Sequence, residues 1–148
     1  MSQRIKSLSR ISRLIDHQKE VVEMEVLQIQ KRLHYEKNLL ADLEGRLEET
    51  IRTFEKDSHE KGIISSREMA YLYGMSSFLS HKIERQNHEV LQVDQELKVQ
   101  EAILLAAYRK KKVFEIFKDK VVMKENKEVN RLDQKSQDFF NLVSGQGR

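Results

Sequence analysis

The chain has 148 residues, of which 34% are charged and 7% aromatic, and it contains neither proline nor cysteine. Without cysteine there is no disulfide framework and no thiolate chemistry. The longest apolar run, residues 102–107, falls far short of the roughly 20 residues a membrane span needs. Abundant Glu, Lys, Leu and Gln is the composition of long solvated helices. The expectation is an all-α fold in which residues 1–148 form one antiparallel coiled-coil hairpin with a C-terminal helical overhang.

The N-terminus, MSQRIKSLSRISRLI, lacks the continuous apolar core of a secretory signal. It is rich in Arg and Ser and has no acid before Asp16, so it loosely mimics a mitochondrial presequence. The start of a basic amphipathic helix accounts for it better, because the same apolar pattern continues along the chain. The first helix is expected over about 5–57. Its stripe reads Leu8, Ile11, Ile15, Gln18, Val22, Val26, Ile29, Leu33, Leu40, Leu43, Leu47 and Phe54. Two successive steps of four between Gln18 and Val26 make a stutter, which relaxes a supercoil locally.

A polar stretch from Asp57 to Gly62 ends this stripe, and a turn is expected over about 58–65. Gly62 can take the left-handed conformation past a helix end, and Ser65 and Glu68 have the spacing of a capping box. The second helix then runs over about 66–140, on Met69, Leu72, Leu79, Ile83, Val90, Val93, Leu97, Leu104, Ala107 and Phe114. Gly45 and Gly74 fall opposite the seam, inside helices, at a cost of about 1 kcal/mol each. Helix one can pair with only about 55 residues of helix two, a length of roughly 80 Å. The later seam positions, Lys111, Lys118, Glu125, Glu128 and Lys135, turn charged as the partner runs out. The last ~28 residues are expected to overhang, with a disordered tail over about 141–148.

The chemistry-bearing patterns of enzymes are missing. The five glycines are scattered and none sits in a phosphate-loop context. The histidines at 17, 34, 59, 81 and 88 never take a zinc-like register with a carboxylate, so no metal, cofactor or catalytic residue is expected. The many carboxylates read as solvating groups or i, i+4 partners of Lys and Arg. A two-helix rod also offers little concave surface for a substrate.

Charge is uneven along the chain. Residues 1–15 carry Arg4, Lys6, Arg10 and Arg13 against no acid, and residues 109–131 hold nine bases against four acids. Folding the chain at Gly62 brings residue 15 beside roughly residue 110, so both basic runs meet. The candidate partner-binding residues there are Arg4, Lys6, Arg10, Arg13, Arg109, Lys110, Lys111 and Lys112. Such a pole steers toward acidic surfaces, with a merely solvated charged helix as the plain alternative. Near the turn, Tyr71, Met75 and Phe78 are spaced i, i+4, i+7 off the main seam, with Ile51 as a candidate neighbour. An exposed second stripe of this kind marks a contact surface, unless it only thickens the coil at its bend. In the overhang Tyr108, Phe114, Ile116, Phe117, Val121 and Val122 stand among lysines, a pattern suited to docking in a groove.

Three segments carry a family resemblance. They are the turn Gly62-Ile63-Ile64-Ser65, the aromatic-basic run Tyr108-Arg109-Lys110-Lys111-Lys112-Val113-Phe114-Glu115, and the tail Asn130-Arg131-Leu132-Asp133-Gln134-Lys135 with Asp138-Phe139 after it. In these, and in length and hairpin layout, the chain resembles the FliJ family of the flagellar type III export apparatus. The resemblance implies a non-enzymatic protein, cytoplasmic and peripheral at the inner face of the cell membrane near the flagellar base. FliJ-like proteins look like the central stalk of rotary ATPases. The implied partners are the hexameric export ATPase, the cytoplasmic domain of the export-gate membrane protein, and export chaperones. The basic pole would enter the ATPase ring, while Ile51, Tyr71, Met75 and Phe78 lie in the region corresponding to the gate-contact surface. Neither nucleic acid nor direct membrane insertion is expected. The alternatives are the equivalent stalk protein of a virulence secretion system, a basic coiled coil that binds nucleic acid, and a self-associating structural coiled coil.

Overall fold

The computed structural model describes residues 2–62 and 65–145, with Lys61 described in its backbone alone. Among these residues there are two helices and no strand: α1, Gln3–Lys61, and α2, Ser66–Gly145. They pack against each other as an all-α helical hairpin. A two-helix seam has no central core, and its contacts are local to each stretch. The chain accordingly divides into two compact units. Unit 1 joins Met1–Val22 to Ile103–Arg148, and unit 2 is Glu23–Ala102.

Each described helix end has a local cause. The Ser2 hydroxyl accepts from the Ile5 N–H at 3.2 Å, which caps α1. Gly62 takes φ +71° and its N–H donates to the Ser58 carbonyl at 3.1 Å, which stops α1. Ser65 restarts the chain, its hydroxyl accepting from the Glu68 N–H at 3.1 Å. Helix α1 therefore continues through much of the expected turn. Ile63 and Ile64 lie outside the described residues. Helix α2 also runs past residue 140 to Gly145, because nothing before that glycine breaks it. The rest of the expected tail, 146–148, is outside the described residues.

In unit 2 the core is Val26 and Leu33 from α1 with Leu79, Val93 and Leu97 from α2. Val93 is fully buried. Polar pairs lie beside this core: Arg32 grips Glu96 at 3.0 Å, and the Gln86 side chain donates to the Glu36 carbonyl at 2.9 Å. In unit 1 the core is Leu8, Ile15 and Val121. Burying such a side chain gives about 2 kcal/mol, so a seam this thin is held by modest terms spread along it.

The seam positions in unit 1 differ from those expected. Leu8, Ser12, Ile15, Lys19 and Val22 are protected, with Ile5, Ser9 and Asp16 half-buried beside them, while Ile11 is 44% exposed and Gln18 is also exposed. Steps of four and three alternate without interruption, so the expected stutter is absent. Ser12 and Lys19 take seam positions because a small hydroxyl and a long aliphatic stem can both be half-buried there. Met69 is likewise exposed and starts no seam. On α2 the seam persists beyond Phe114 through Lys118 and Val121 to Glu125, whose carboxylate accepts from the Ser2 hydroxyl at 2.7 Å. The charged seam positions thus begin while α1 is still present. Only 126–145 are exposed throughout.

Candidate partner-binding surfaces

Unit 1 brings the two basic runs together. It contains sixteen Lys and Arg against eight Asp and Glu, a net +8, while unit 2 has eleven against sixteen, a net −5. The overall +3 conceals this contrast. Arg4, Lys6, Arg10, Arg13, Arg109, Lys110 and Lys112 are all exposed.

Lys111 is the exception among the eight. It occupies a seam position, with its Nζ 2.8 Å from Asp16 Oδ1 and 3.9 Å from the Glu115 carboxylate. The close Lys111 ammonium holds the Asp16 carboxyl below the usual carboxylate range, helped by the charges of Lys19 and Lys118. The same ion pair raises the Lys111 ammonium above its ordinary value. Lys111 therefore serves the seam, not the basic surface. Nearby, the Lys19 ammonium stands 5.0 Å from the centre of the Tyr108 ring, a cation–π contact across the two helices.

The hydrophobic residues assigned to an overhang divide in two. Val121 is buried and Phe114 and Val122 half-buried, whereas Tyr108, Ile116 and Phe117 are exposed. The Phe117 ring leans on Phe114 at 6.3 Å between centroids, tilted by 48°.

In unit 2, Tyr71, Met75 and Phe78 line one groove of about 730 Å³, together with Leu43, Phe54, Leu72 and Leu79. Its edges carry Arg46, Glu49, Asp57, Arg67, Glu68 and Lys82. Lys82 lies 4.7 Å from the Phe78 ring centre. Tyr71 and Phe78 are exposed, and Met75 is half-buried. Ile51 is exposed but does not line this groove. At 100° per residue, Ile51 follows the half-buried Thr50 and sits on one flank of the seam. Tyr71, Met75 and Phe78 each precede a seam position and occupy the other flank. The contribution of Leu43 and Phe54 to the groove was hidden in the sequence, since it depends on which residues of the two helices face each other.

Among the described residues no group of His, Cys, Asp and Glu could hold a metal ion, and no helix is long and apolar enough to cross a membrane. The family model described as Flagellar FliJ protein matches residues 3–144. The chain belongs to the FliJ family. FliJ is a non-catalytic component of flagellar protein export, so this chain belongs to flagellar biosynthesis and type III protein export. No curated protein and no solved structure matches the chain.

Proposed function

We propose that this chain is the coiled-coil stalk linking the hexameric export ATPase to the cytoplasmic domain of the export gate, and that it assists export chaperones at the inner face of the membrane. The observation that carries this reading is the pairing of the two basic runs in unit 1, in a FliJ family chain. Arg4, Lys6, Arg10, Arg13, Arg109, Lys110 and Lys112 form the surface that meets acidic loops of the ring. A positive rod inserted among ring subunits shifts them between conformations only by binding those conformations unequally. Charge on the rod surface supplies that inequality and couples hydrolysis to the gate. The groove of Tyr71, Met75 and Phe78 is the gate-facing surface.

The test is stimulation of the purified export ATPase by wild-type protein and by a charge-reversed variant. The variant carries Arg10→Glu, Arg13→Glu, Lys110→Glu and Lys112→Glu, with Lys111 left intact to preserve its bond to Asp16. Loss of stimulation at unchanged helicity is expected. Undiminished stimulation would remove the basic surface from the mechanism.

A further inference from the structure

Unit 1 carries an apolar surface that neither the seam nor the charge pattern explains. On each helix, the residues one position before the seam positions form a row on one flank. In an antiparallel pair these preceding rows lie on the same side, because the helix axes run in opposite directions. Unit 2 shows the rule at work, where Arg46, Glu49 and Thr53 of α1 line one groove with Tyr71, Met75 and Phe78 of α2.

In unit 1 the corresponding rows contain Ile11, Leu14 and Val21 on α1 and Ile103, Val113 and Phe117 on α2. All six are exposed. The ion pair of Asp16 with Lys111 and the bond of Ser2 to Glu125 fix the register. That register sets Leu14 beside Val113 and Ile11 beside Phe117. The contact of Phe117 with Phe114 holds the aromatic edge in place. Although Gln18, Lys110 and Lys120 share these rows, Ile11, Leu14, Val113 and Phe117 form a facing apolar patch of the kind a third helix covers in a bundle.

Charge decides between occupants. Lys110, Lys120 and Lys124 each precede a seam position and stand exposed in the same row of α2, with exposed Arg10 next to Ile11 on α1, and unit 1 as a whole is strongly basic. A second copy of unit 1 would be repelled. A flat lipid surface would not match a ridged channel between two helices. We infer that this flank of unit 1 receives an acidic amphipathic helix of another protein, its apolar stripe on Leu14, Val113 and Phe117 and its carboxylates against the bordering cations. The inference does not rest on the ring assignment.

The assay uses full-length protein and two labelled synthetic peptides of three heptads. Both have Ile and Leu at the a and d positions; one carries Glu and the other Lys at e and g. Fluorescence anisotropy is expected to show saturable binding of the Glu peptide, weakened as salt is raised, and no binding of the Lys peptide. Leu14→Glu and Val113→Glu should each weaken the Glu peptide at least tenfold. Val99→Glu, at an exposed position in unit 2, should not. Circular dichroism confirms that the variants remain helical, as exposed sites should allow. Equal binding of both peptides, or full affinity in both unit 1 variants, would overturn the inference. So would a self-associated form in sedimentation whose dissociation exposes the site. Retention on phosphatidylglycerol vesicles without Glu-peptide binding would also overturn it, and would assign the surface to a membrane.

Discussion

Replacing glycine by alanine at three positions in unit 2 should move stability in two directions. Gly45 and Gly74 lie inside α1 and α2 with helical φ, and a methyl group built on either meets nothing within 4 Å. Alanine there loses less backbone entropy on folding and costs no packing, a gain of about 1 kcal/mol each. The two sites share no contact, so the gains should add, to about 2 kcal/mol in the double variant. For a chain of this length that corresponds to a rise of roughly 4–8 °C in Tm. Gly62 also has free space around it, but its φ is +71°. Alanine there must occupy the left-handed region, at a cost of about 1–2 kcal/mol. Space is equal at all three sites, so only backbone conformation can give the opposite signs. Thermal and urea unfolding followed by far-UV circular dichroism would measure both. Destabilisation by Gly45→Ala or Gly74→Ala would mean that the helix is contacted or distorted there. A neutral Gly62→Ala would mean that the turn does not need its left-handed residue.

Val93→Ala should cost about 2 kcal/mol, from two lost carbons at about 0.8 kcal/mol each plus the space left behind, while Leu91→Ala at an exposed neighbour should be nearly neutral in the same urea titration. Ser65→Ala removes the hydroxyl that accepts from the Glu68 N–H; about 1 kcal/mol should be lost, and hydrogen exchange at the start of α2 should accelerate. Asp16→Asn should lower Tm by an amount that depends on pH only at its extremes. The depressed Asp16 contributes stability above its unfolded value near 4, lost as pH falls through its lower folded value. The raised Lys111 contributes below its unfolded value near 10.4, lost as pH rises through its higher folded value. The Tm difference between wild type and Asp16→Asn should therefore be flat from about pH 5 to 9 and shrink outside that window.

The hairpin was legible because its punctuation is local. Gly62, Ser65 and Glu68 carry their instructions within a few residues, and the structure uses the first two as a stop and a cap. The register of α1 in unit 1 was less legible, because apolar Ile11 drew the stripe through Ile11 and Gln18 instead of Ser12 and Lys19. Alternating steps counted backward from Val22 lead to Lys19, Ile15, Ser12 and Leu8, the positions protected in the structure. Lys111 read as part of a basic run because a sequence displays its charge but not Asp16 lying 2.8 Å away. Ile51 was grouped with Tyr71 on proximity to the turn, whereas flank is set by the register of both helices together.

The exchange of residues in unit 1 bears on what the hairpin is built to do. Moving Ile11 into the seam in place of Ser12 would bury more apolar surface, and a leucine at Lys111 would remove the need for a partner carboxylate. Replacing paired charges in a protected site by apolar residues is often neutral or stabilising. The chain instead draws Ser12, Lys19 and Lys111 inward and leaves Ile11, Leu14, Val113 and Phe117 outside. The charged pair still contributes specificity, since sliding the helices by one turn would separate Asp16 from Lys111 and leave both half-buried charges unmatched. The displaced hydrophobes keep their energy for a contact not yet made. A seam optimised only for its own stability would have the opposite arrangement. The polar seam and the apolar flank are thus two consequences of one register, which fixes the hairpin while reserving surface for a partner.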